Sequence, residues 1–227
     1  MTDAAPQQSP TGWRRWALIG AVALAIAGLA FAIGRFSTFG SSGAAAAPTN
    51  SSADAGFARD MQVHHGQAIE MAMEIYRKTE DPEIRVMAYD MATTQSGQKG
   101  EMYDWLVRWG LPQLGDTTMA WMTGTDTGHD HGEASDTPMT DEEMREAMGM
   151  ASPAELTALQ QATGLEADCL FLELMIRHHG GAIPMADALV ELGTDPRAIE
   201  VAASMSETQA FEIDAMESIQ ARLGCSG

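Results

Sequence analysis

Apolar side chains at Phe57, Met61, Ala68, Met71 and Ile75 recur at intervals that fit a 3.6-residue period, with His64 filling the gap between 61 and 68. The pattern predicts an amphipathic helix over 57–79. Asp81-Pro82 then restarts the chain, because Asp offers an N-cap oxygen and Pro suits a first helical position whose amide proton is not needed. A second helix is predicted over 82–109, with Gly110 as its stop and Pro112 barring resumption. The plan then returns: Phe171, Met175, His178, Ala182 and Met185 predict a helix from about Asp168 to Leu192, Gly193 is its stop, Asp195-Pro196 the restart, and a last helix ends at Gly224.

The two stretches align without a gap at one offset of 114 residues. His64-His65-Gly66 falls on His178-His179-Gly180, Asp81-Pro82 on Asp195-Pro196, Thr94-Gln95 on Thr208-Gln209, and Met61, Met71, Met91 and Met102 on Met175, Met185, Met205 and Met216. This is an internal duplication. Two tight hairpins of long helices predict an all-α four-helix bundle. Pro184 stands where the first copy has Glu70, and by removing the amide that would bond the carbonyl of Gly180 it is expected to kink the third long helix.

Ahead of the repeats, Trp16 to Ile33 is an uncharged apolar run, with Arg14-Arg15 before it and Arg35 after it. It is long enough to span a bilayer, and the arginine bias places the amino terminus in the cytoplasm. The rival is a cleaved export signal with its cleavage site among Ala44 to Ala47; the length of the run favours an uncleaved anchor. Residues 1–15 are read as a cytoplasmic amino terminus, 16–34 as a transmembrane anchor or signal sequence and 35–53 as a flexible linker. The first hairpin repeat is 54–110, the insertion 111–167 and the second repeat 168–225. In the insertion, Thr140 with Glu143 and Ser152-Pro153 with Glu155 have capping-box spacing, predicting two short helices, the second stopping at Gly164. The stretch 123–138 is polar.

A formal charge of −19 argues against binding a nucleic-acid backbone. Cys169 and Cys225 lie at the two open ends of the second hairpin, where an extracytoplasmic disulfide would close it; two free thiols are the alternative.

His64 and His178 fall on the inward stripes and should point into the bundle, while His65 and His179, rotated by about 100°, are expected at the stripe's edge. Counting back from the hairpin turns puts Gln95 and Gln98 opposite the first pair, and Gln209 and Glu212 opposite the second. A buried polar network of imidazoles and amides would satisfy this pattern. Two adjacent His repeated beside duplicated Met also suit a metal: imidazole binds Cu, Zn, Ni or Fe, and thioether favours Cu(I). Met is also a common core filler, so of the 17 Met only Met61 and Met175, one turn before the His pairs, are taken as candidate ligands. No inward Glu set of the di-iron kind is duplicated, and no H-E-x-x-H motif or recognisable nucleophile occurs. His129 and His131 in the polar loop form a second candidate for Cu(II) or Zn(II), with a solvated linker as the equal alternative.

The repeated His-His-Gly-x-Ala-Ile-x-Met-Ala, the Asp-x-x-Phe lead-in at Asp54 and Asp168, and Gly149-Met150-Ala151-Ser152 resemble the domain-of-unknown-function family numbered 305 over about residues 54–224. The resemblance implies a ferritin-like four-helix bundle exported to the cell envelope, with copper binding and copper tolerance among its members. It also implies ligands drawn from His64, His65, His178, His179, Met61 and Met175. The expectation is therefore a single-pass, membrane-anchored, extracytoplasmic protein that binds copper, preferentially Cu(I), for buffering, tolerance or delivery. It need not be an enzyme. The alternative is an accessory subunit docking on an envelope membrane complex, and a copper redox enzyme is a third reading.

Overall fold

The computed structural model describes residues 47–115, 118–122 and 139–225. The segment 16–34, together with His129 and His131, lies outside the described residues. Among the described residues no helix is long and apolar enough to cross a membrane. They form six α-helices and no strand: α1 (Ala53–Lys78), α2 (Pro82–Trp109), α3 (Asp141–Ala147), α4 (Pro153–Gln161), α5 (Gly164–Leu192) and α6 (Pro196–Leu223). A short 3-10 turn covers Ala120–Met122.

The helix ends follow the cap chemistry. Asp81 accepts from the amides of Glu83 and Ile84, and Asp195 from those of Arg197 and Ala198. Gly110 and Gly224 end α2 and α6 in the left-handed region, each at φ 70°, which a side chain would disfavour. Both capping boxes of the insertion are closed. Three boundaries differ from expectation. α1 begins at Ala53 because Ser52 accepts from the amide of Ala55. α4 ends at Gln161, and Gly164, expected as its stop, is the first residue of α5. Gly193 ends α5 with extended backbone, φ −68°, and not as a left-handed cap. Helix α5 runs uninterrupted through Pro184.

Hairpin α1–α2 packs on hairpin α5–α6 through α1 and α5. The buried side chains fall into two clusters, and the duplication explains how they are divided. One holds Met71 and Met91 of the first repeat with Met175 and Met216 of the second; the other holds Met61 and Met102 with Met185 and Met205. Phe57 and Phe171, Ala68 and Ala182, and Ile75 and Leu189 are partitioned in the same way. The arrangement is a pseudo-two-fold in which α1 and α5 run antiparallel and each repeat gives one end to each core. Every one of these side chains is essentially inaccessible, so each Met, Phe, Ile and Leu among them contributes on the order of 1.5–3 kcal/mol by leaving water.

Two further links tie the halves. The buried Asp54 carboxylate accepts from the amide and hydroxyl of Thr194 and the amide of Asp195, joining the start of α1 to the turn of the second hairpin. Cys169 and Cys225 form a disulfide with Cα atoms 5.5 Å apart, closing the second hairpin.

Candidate metal centre

His64 and His178 meet where the two hairpins touch, their ring centroids 3.7 Å apart and their planes tilted by 36°. His179 lies beside His178, centroid to centroid 6.2 Å. All four histidines, His64, His65, His178 and His179, are 0% exposed. The expected edge position of His65 and His179 is therefore corrected. The flanking helices close over that edge, Gln98 of α2 reaching His65 and Glu212 of α6 reaching His179, each at 2.8 Å.

The hydrogen-bond partners fix the tautomers. His64 Nε2 lies 2.9 Å from the carbonyl oxygen of Met148, His65 Nε2 meets the amide oxygen of Gln98, and His179 Nε2 meets the Glu212 carboxylate. All three partners accept, so each Nε2 must carry the proton and donate. The Nδ1 of His64 and of His65 is then a bare lone pair, the Nδ1 of His179 is likewise buried without a partner, and no well-formed hydrogen bond reaches either nitrogen of His178. Buried polar atoms are nearly always satisfied, so five orphaned ring nitrogens in one layer need a reason.

Burial keeps His64, His65 and His178 neutral. Desolvation lowers His64 to about 4, only partly opposed by the Met148 carbonyl. Desolvation and then the neighbouring His64 lower His65 to about 3. His178 is held well below its ordinary value by desolvation first and then by the other three rings, against a polar contact with the His64 backbone that raises it. Neutral imidazole is the form that binds a metal.

Gln95 and Gln209, expected to face the His pairs, are buried at 4% and 5% exposure but hydrogen bond to neither pair, and their amide oxygens are unpartnered. Level alone cannot decide which of two nearby residues turns toward the histidine; the rotation of α2 and α6 selects Gln98 and Glu212. Met61 and Met175, one turn before His64 and His178, are fully buried in opposite core clusters. Each inward His thus has a thioether on its own helix, on opposite sides of the pseudo-two-fold. Among the described residues no three His, Cys, Asp or Glu side chains gather into a set that could hold a metal ion. A metal in this layer would therefore draw on imidazole Nδ1 and thioether sulfur together, a soft donor set that the orphaned nitrogens and the neighbouring Met fit.

A third element completes the layer. Residues Met148–Ala151 form a strap laid across α1 and α5. Its Met148 carbonyl receives His64, and its Ala151 backbone exchanges two hydrogen bonds with the Gln67 amide at 2.6 and 2.8 Å. The approach is so close that a Cβ on Gly181 would lie 1.9 Å from the Met148 oxygen, and one on Gly149, at φ 70°, 2.2 Å from the Arg177 oxygen. Beside the strap opens a groove of about 810 Å³ lined by Gln67, Arg145, Glu155 and Arg177 among others. Periodicity gave no sign of the strap's role; the available signals were Gly149 ahead of Met150, and Gly181 standing where the first repeat has Gln67.

A family model described as "Domain of unknown function (DUF305)" matches residues 54–220. A putative secreted protein of this family from Streptomyces coelicolor has a crystal structure similar to this chain, with 38% identity and TM-score 0.67, over 78% of this chain and 96% of that one. A fragment from Deinococcus radiodurans is similar at 29% identity and TM-score 0.60, over 75% and 96%. CopM in its Cu(II)-bound form is similar at 26% identity and TM-score 0.56, over 75% and 97%. CopM has also been solved in Cu(I)- and Ag-bound forms. A search of curated proteins found no match.

Proposed function

The chain belongs to the domain-of-unknown-function family DUF305, and we propose that it is an extracytoplasmic copper-binding protein that buffers Cu(I) or hands it on, held at the membrane by residues 16–34. The observation that carries this reading is the set of buried, partnerless ring nitrogens in the His64–His178 layer. Leaving such atoms unsatisfied costs about 1–3 kcal/mol each, which a bound ion would recover. The ligands would come from His64, His65, His178 and His179 with Met61 and Met175. Uncharged donors in a dry interior suit a monovalent ion better than a divalent one, because less charge is moved out of water. The copper-bound forms of CopM support the choice of metal, and the secreted Streptomyces relative supports a place outside the cytoplasm. No enzymatic step is required of the protein. X-ray absorption on the copper-loaded protein tests the donor set: the reading expects mixed nitrogen and sulfur scattering, and oxygen-only coordination would overturn it.

One observation favours the second reading, an accessory subunit docked on an envelope complex. Val86, Tyr89, Tyr103 and Val107 of α2 are each more than half exposed and fall within about 100° of arc on the helix. Such a face suits a protein partner. Absence of a larger assembly after mild-detergent purification would count against it.

A further inference from the structure

Around His65 and His179 the duplicated halves differ in charge. Gln98 and Glu212 occupy equivalent positions and receive the same bond, from His65 and His179 respectively, at the same 2.8 Å. The first is a neutral amide; the second is a carboxylate that is one-fifth exposed and, among the described residues, paired with no Lys or Arg. The next residue differs as well. Lys99 stands on the His65 side, near enough that its ammonium would lie 3.3 Å from a Cβ on Gly66. Its counterpart on the His179 side is the uncharged Ile213.

We propose that Glu212 makes the His179 side of the histidine layer the stronger seat for a metal cation, and that this side rather than the His65 side governs how well the protein holds Cu(II). The inference rests on the copper-binding reading above. A carboxylate accepting from the far nitrogen of an imidazole holds the ring in one tautomer and makes the near nitrogen a better donor. Its negative charge also offsets the charge of the ion, and does so twice as strongly for a divalent ion as for a monovalent one. On the other side the amide fixes the tautomer without the charge, and Lys99 opposes the cation. Glu212 is thus a positioning residue that acts through His179. The near-symmetrical bundle holds two unequal seats, the better one in the second repeat.

The test compares wild type, Glu212→Gln, and the converse variant Gln98→Glu with Lys99→Ile, using the full-length protein. Cu(I) and Cu(II) affinities are measured separately by chelator competition near neutral pH, with thermal unfolding of the metal-free protein alongside. Glu212→Gln keeps the hydrogen bond, since its side-chain oxygen can accept as Gln98 does, so unfolding should not move. The expected result is a loss of about 10- to 100-fold in Cu(II) affinity and a smaller loss for Cu(I). The converse variant should gain Cu(II) affinity. If wild type binds copper through the His layer but Glu212→Gln changes Cu(II) affinity less than about twofold, or changes both ions equally, the inference falls while the copper reading stands. If wild type binds no copper that the His64→Ala/His178→Ala variant loses, both fall together.

Discussion

His64 and His178, equivalent residues of the two repeats, stack on each other at 3.7 Å on the pseudo-two-fold that relates the hairpins. Two neutral imidazoles in that position are a poor way to fill a core. Each brings a buried Nδ1 with no donor in reach, and His178 brings an orphaned Nε2 as well. A bundle selected for stability alone would place apolar side chains there.

Replacing His178 by Leu should therefore leave the fold unharmed or stabilise it, by up to about 2 kcal/mol, since unsatisfied nitrogens are exchanged for apolar volume. Urea unfolding of the metal-free protein measures this. A loss of more than about 1 kcal/mol would show that the ring is held by interactions that compensate its burial.

Acidification gives a second expectation, with its sign fixed by linkage. His64 and His65 have folded-state values near 4 and near 3, below the ordinary 6.5. The unfolded chain thus binds more protons between these limits, and stability must rise with pH across that window. Stability of the metal-free protein should be level above about 6.5 and fall as pH drops toward 4 and then 3. The slope should flatten in His64→Ala. Equal slopes in variant and wild type would mean that the carboxylates, not the histidines, set the acid limit.

The strap provides a packing test. Gly181→Ala forces a Cβ to within 1.9 Å of the Met148 carbonyl, where backbone meets backbone and neither can yield cheaply. The expected outcome is a strap lifted from α5, a stability loss of about 1–3 kcal/mol and the loss of the His64–Met148 hydrogen bond. Faster proteolysis between Met139 and Ala151 would report the lifting. Gly180→Ala, at an exposed helical position where an added Cβ would meet nothing within 4 Å, is the control and should leave the strap in place and stabilise the helix by about 0.5–1 kcal/mol.

The disulfide is separable from the histidine layer. Cys169 and Cys225 enclose 56 residues of sequence separation, so reduction should cost on the order of 4 kcal/mol in the chain-entropy view. Denaturant unfolding with and without reductant checks the figure. Copper binding by the folded protein should survive reduction, because neither cysteine belongs to the layer.

What the sequence made legible was whatever repeats or caps. The four long helices, both capping boxes, the Asp-Pro restarts and the inward turn of His64 and His178 followed from period, spacing and the 114-residue offset. Helix rotation was not legible. Gln95 and Gln98 stand at nearly the same level, and only the packing of α2 turns Gln98 onto His65. The same packing buries His65 and His179, which a single helix would leave at its edge. The strap was hidden for another reason: its hold on the bundle uses backbone atoms of Met148 and Ala151, which carry no residue-type signature. His129 and His131, outside the described residues, remain a sequence expectation.

The most direct measurement is a titration of the untagged protein with Cu(I), under reducing conditions and against a competing chelator, beside the His64→Ala/His178→Ala variant. Tight, stoichiometric binding is predicted in wild type, lost in the variant while its helical circular dichroism is retained. Equal uptake by the two proteins would contradict copper binding by this layer, and would leave the histidines as architecture.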